Sequence, residues 1–202
     1  MPNSNQARDE YLRGCIDRAR RHPEGSFIPG VSDEVIHRFG AAFHPDNLDH
    51  LTAADMGDFM SYRHNRHWKG LDRNKTKVTA DMPRLRAGLA VLLDEDAPLA
   101  SRWDTALGMV RGMGRAVASP ILLVVHPDRY GVWNTVSEDM MTSLSYLPEA
   151  TRPRQDGRTY AHVNDILLGI SDRLGVDLWH LDTLWRFVSF DRGGGSTTTP
   201  SS

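Results

Sequence analysis

Apolar side chains recur along most of this chain three and four residues apart, the spacing that gathers them on one face of an α-helix. No stretch alternates strictly between apolar and polar residues, as a half-buried strand would. The pattern predicts an all-α fold, a compact multi-helix domain. Helices are expected over Asp9–Arg21, Ser32–Ala42, Thr52–Tyr62, Asp81–Leu93, Ser101–Val110, Arg115–Val125, Thr135–Leu144, Tyr160–Leu174 and Leu178–Phe187, with Pro and Gly clusters marking the turns between them. Two starts carry a further signal. Thr135 stands three residues before Glu138, the interval of a reciprocal capping box, and Ser32-Asp33-Glu34 sets acidic groups at a positive helix end.

The two ends break the pattern. Residues 1–8 are polar and aperiodic and are expected to be flexible, whereas 192–202 has the Gly/Ser/Thr-rich composition of a tail or linker. Such a tail would suit tethering to an effector domain or a partner protein. A single helical domain over 9–191 remains, and a 40% hydrophobic share is ample for its core. The longest apolar runs, such as Ile121 to Val125, are far too short to span a bilayer, and the N-terminus lacks a basic-then-apolar leader. Cys15 is the only cysteine, which excludes an internal disulfide and any four-cysteine zinc or iron–sulfur site within the chain. A cytoplasmic protein without cofactor, metal or membrane contact is expected. The net charge of −2 argues against coating nucleic acid with bulk positive charge, so any such binding has to come from local patches.

The most informative segment is Met109-Val110-Arg111-Gly112-Met113-Gly114-Arg115, where an apolar helix meets a Gly-x-Gly turn and a second helix opens at once with Ala116 and Ala118 on its early turns. Glycines allow a tight reversal and close approach of a ligand, and the N–H groups that begin the next helix suit an anion such as a DNA phosphate. An ordinary turn between packed helices is the plainer alternative. Downstream, His126-Pro127-Asp128-Arg129-Tyr130-Gly131-Val132-Trp133-Asn134 reads as a proline turn, a short extended piece and a polar helix cap.

Together these segments resemble the helix-hairpin-helix superfamily of DNA glycosylases over roughly residues 104–140. The resemblance implies a glycosylase-like helical fold whose hairpin holds DNA, double-stranded in the main. It also implies a catalytic aspartate about twenty residues beyond the second hairpin glycine and, in the lyase-type members, a lysine two residues beyond it. Asn134 and Ala116 stand at those positions, and Arg111 replaces the usual hairpin proline. An amide cannot supply the negative charge, and an alanine cannot form a Schiff base. The expected function is therefore recognition of a base by flipping, with little or no catalysis. Gly112, Gly114 and Arg115 would hold phosphate while Tyr130, Trp133 and Asn134 line a base pocket. His-Trp-Lys-Gly-Leu and Pro-Asp-Arg-Tyr-Gly-Val-Trp-Asn also resemble uncharacterised bacterial domains attached to restriction-type proteins, which points toward modified or foreign DNA. An active glycosylase drawing its carboxylate from Asp128 is one alternative, although Pro-Asp-x-x-Gly is also a plain turn. A helical protein-interaction domain is another.

From Tyr62 to Lys77 six basic residues face one acid, Asp72. Arg66 and Lys69 are expected to add phosphate contacts and Tyr62 a stacking face, with Trp68 either stacking or packed in the core. His64 and His67 lack a third ligand and the spacing of a zinc-protease helix. Cys15 is read as packing, and Trp179 and Trp185 as closing the core.

Overall fold

The structure is a computed structural model that describes residues 5–21, 29–61, 68, 71–151 and 154–193. Among them there are helices and turns but no strand. The helices are α1 (Asn5–Arg20), α2 (Pro29–Phe43), α3 (Ala53–Phe59), α4 (Lys75–Val78), α5 (Met82–Leu92), α6 (Leu99–Met109), α7 (Arg115–Val125), α8 (Thr135–Ser143), α9 (Gly157–Leu174) and α10 (Leu178–Gly193). Short 3₁₀ turns occupy Pro45–His50, Leu71–Asn74 and Glu149–Thr151. Every helix expected from the apolar spacing is present. The three 3₁₀ turns and α4 are additions, too short to carry a helical period.

The ends of the helices explain most of the shifts in boundary. Asp156 accepts a hydrogen bond from the Thr159 N–H at 2.9 Å, so α9 opens three residues before the expected Tyr160. Gly175, in the left-handed conformation at φ 65°, ends it. Thr52 and Asp55 form a capping box at the start of α3. The box expected between Thr135 and Glu138 does not form. Asn134 is the N-cap of α8 and pairs reciprocally with Ser137, while Glu138 turns away to a distant arginine. α1 begins at Asn5, within the stretch expected to be without structure. Its Arg8 guanidinium donates to the Leu144 and Ser145 carbonyls at 3.1 and 2.5 Å. α2 begins at Pro29 rather than Ser32.

α7 occupies the middle of the molecule. All eight residues from Val117 to Val124 are buried, so this helix is apolar on every side rather than along one stripe. Burying each Leu, Ile or Val contributes about 1.5–3 kcal/mol, which makes α7 the main apolar anchor of the fold. α2 packs against it so closely that a Cβ at Gly40 would lie 2.5 Å from the Val124 carbonyl oxygen. α6 packs against α5 and α9, and α10 against α8, α1 and α9. Trp103, Trp133, Trp185 and Tyr160 are fully enclosed. Among the described residues no helix is long and apolar enough to cross a membrane.

Candidate nucleic-acid interface

α6 ends where Val110 takes an extended backbone, and the Met113 N–H closes the reversal onto the Val110 carbonyl at 3.1 Å. Gly112 then adopts φ 88°, a conformation that side chains rarely take. Its lack of a Cβ has a second consequence, because a Cβ there would lie 2.9 Å from the Lys77 Cβ. The glycine thus allows α4, and with it a cation, to abut the turn. Gly114 is extended and serves as the N-cap of α7, its carbonyl accepting from the Val117 and Ala118 N–H groups at 2.9 and 3.0 Å. No side chain caps this helix, and the N–H groups of Gly114, Arg115 and Ala116 have no partner among the described residues. All three residues are half-buried, and a Cβ at Gly114 would meet only open space.

Beside the reversal lies a groove of about 480 Å³. Lys77, Arg84 and Arg111 give it a positive rim opposed by Asp81. Its apolar lining comes from Val78, Ala80, Met109 and Val110, with Gly108 between. The Asp81 carboxylate is committed to capping the Arg84 N–H at 3.0 Å, and Arg84 Nε donates to the Met109 carbonyl at 2.5 Å. That bond ties the start of α5 to the end of α6.

The side chain of Arg115 points elsewhere. Its two terminal nitrogens pair with the two Glu138 oxygens at 2.6 and 2.8 Å, and the guanidinium lies 4.6 Å from the centre of the Trp133 ring. The pair is largely buried, so this positive charge is neutralised inside the protein. Only the backbone of Arg115 belongs to the reversal's open face.

The expected base pocket is closed. Trp133 is fully buried among Trp103 and Tyr160, with ring centres 6.4 and 6.2 Å away, and its backbone N–H donates to Ser119 Oγ at 2.9 Å. The Tyr130 hydroxyl donates to Glu95 at 2.7 Å, and Arg102 meets the same carboxylate oxygen at 2.6 Å. Burial pushes Glu95 up, but the Tyr130 bond and the Arg102 charge outweigh it and hold the carboxyl below its ordinary range. Burial and the bond to Glu95 push the Tyr130 hydroxyl up. The Asn134 amide oxygen accepts from the Ser137 N–H at 3.0 Å. Asp128 is exposed on the turn after α7, where the Arg129 N–H donates to the His126 carbonyl at 3.0 Å.

Tyr62, Arg66 and Lys69 lie outside the described residues, as do His64 and His67. Trp68 is a core residue, 5.7 Å from Phe59 and 5.4 Å from Trp179 between ring centres. Its indole N–H donates to Asp182 at 2.8 Å. Burial pushes Asp182 up to about 7, against the lowering effect of Trp68, Arg186 and Asn134. The acid was discernible in the sequence as a charge on the otherwise apolar face formed by Leu178, Leu181 and Trp185. Among the described residues no group of three or more His, Cys, Asp or Glu could hold a metal ion. Comparison with protein-family models, curated proteins and solved structures finds no match to this chain.

Proposed function

We propose that this chain is a DNA-binding domain that holds a phosphate of the DNA backbone on the reversal between α6 and α7. The supporting observation is the meeting of two features at one place. The N–H groups of Gly114, Arg115 and Ala116, without partners among the described residues, follow a turn whose Gly112 abuts Lys77 and whose Arg111 lines a groove with Lys77 and Arg84, in a chain whose net charge is −2. α6 also opens without a side-chain cap, at Pro98, but Asp94, Glu95 and Asp96 precede it, so that helix end would repel an anion. Positive charge gathered beside amides that lack partners is what a phosphate needs.

In this reading the glycosylase-like resemblance carries over to the grip on DNA and not to excision or base extrusion. Trp133 and Tyr130 are packing residues, and Asn134 is a helix cap. Modified or foreign DNA remains the proposed target class, with the hairpin supplying affinity and not sequence information. Fluorescence anisotropy with a labelled short duplex at a series of salt concentrations tests the proposal. Binding should weaken linearly on a log–log scale as salt rises, and Lys77→Glu or Arg111→Glu should flatten that slope by about 1 while leaving the fold intact. Absence of binding at low salt, or identical slopes for wild type and both variants, would sink the assignment.

A further inference from the structure

We propose that the groove beside the reversal receives one unpaired nucleotide, its base against Ala80 and Met109 and its phosphate among Lys77, Arg84 and Arg111. The preferred ligand is then DNA with a single-stranded step next to a duplex, such as an overhang or a gap. This rests on the DNA-binding reading above and specifies which DNA the site favours.

The first argument is shape. A paired base offers only its edge, whereas an unpaired base offers a flat face that gains from a concave, partly apolar surface. Ala80 and Met109 give the groove an accessible apolar face, with Val78 and Val110 buried behind them, and its volume of about 480 Å³ lies within the range of small-molecule pockets. The second is charge. Three cations line it against Asp81, whose carboxylate already caps the Arg84 N–H. Arg84 is also held in place, because Nε is fixed on the Met109 carbonyl while its two terminal amines keep no partner among the described residues. A fixed guanidinium fork suits a phosphate and costs little ordering on binding. The third is continuity. Val110 and Arg111 belong to both the groove and the reversal, and Lys77 abuts Gly112. Arg111, three residues before Gly114, thus links the amides to the groove along the chain.

The test uses the full chain and compares, at one salt concentration, a blunt duplex with the same duplex carrying a short single-stranded extension. Wild type should bind the extended ligand about tenfold tighter. Gly108→Phe fills the groove from an exposed position where a Cβ meets nothing within 4 Å, so it should bring the affinity for the extended ligand down to that for the blunt duplex. Arg84→Gln should reduce the preference in part, which keeps the proposal testable if the first variant folds poorly. Equal affinity of wild type for the two ligands overturns the groove assignment and leaves the DNA reading standing; binding to neither overturns both. Inorganic phosphate that displaces the extended ligand as well as a deoxynucleoside monophosphate does would show an anion site without a base site, and would also overturn the proposal.

Discussion

The starts of α7 and α8 differ in one instructive respect. Both have an extended N-cap, Gly114 at φ −112° and ψ −179° and Asn134 at φ −127° and ψ −177°. At α8 the Asn134 and Ser137 side chains satisfy each other's backbone amides, and Trp133 beside them is sealed in the core. At α7 no side chain among the described residues fills that role, and the turn before it carries Arg111, which lines a groove with Lys77 and Arg84. The same backbone thus forms an internal joint when a side chain supplies the acceptor, and leaves its amides without a partner among the described residues when glycine stands at the cap.

Substitutions should separate the joint from the open end, and the largest effect belongs to the joint. Trp133→Ala should cost about 3–5 kcal/mol in denaturant unfolding, because a fully enclosed indole leaves a cavity, yet it should leave the salt slope of DNA binding unchanged. A variant that instead loses preference among bases at full stability would return Trp133 to a recognition role.

Asp182 gives a pH signature on the joint side. Unfolded, it titrates near 3.8; folded, at about 7, so between those values the folded chain keeps a proton that the unfolded chain has released. Its contribution to stability is complete below about pH 4, falls as pH rises toward about 7, and is constant above that. Asp182→Asn removes this dependence and keeps an acceptor for the Trp68 indole. Relative to wild type it should gain on the order of 4 kcal/mol from pH 4 to pH 8, read from unfolding curves across that range. A difference that stays flat with pH would show that the folded carboxyl titrates normally.

Gly112→Ala comes next, at about 1–3 kcal/mol, since its positive φ is strained for alanine and its Cβ would press on Lys77. Unlike the core variant it should also weaken DNA binding, because the reversal has to shift. Asn134→Ala should cost about 1 kcal/mol as a lost cap and leave DNA affinity unchanged within error. A larger effect on affinity than on stability would erase the distinction between the two helix starts.

The helices were legible in the sequence because burial imposes a period on it, and the bland reading of Asn134 as a cap holds because capping is local chemistry. What joins distant segments was not legible. Glu138 carries an apparent capping-box spacing from Thr135 but pairs with Arg115, twenty-three residues away. Tertiary packing decided that competition, since Arg115 needed a partner once it lay over Trp133. Lys77 was visible as part of a basic run, yet only the fold places it against Gly112. Arg84, on a helix expected to be merely amphipathic, carried no signal of its place on the groove. The glycine turn itself was plain in the sequence, while the positive rim of the groove beside it comes from three separate segments.

Amide chemical shifts of the labelled protein, followed as a short duplex is added, test the central claim most directly. The N–H resonances of Gly114, Arg115 and Ala116 should move most, and those of Thr135 to Glu138 should stay in place. Shifts concentrated at the start of α8, or none at the reversal while DNA binds, would contradict the account.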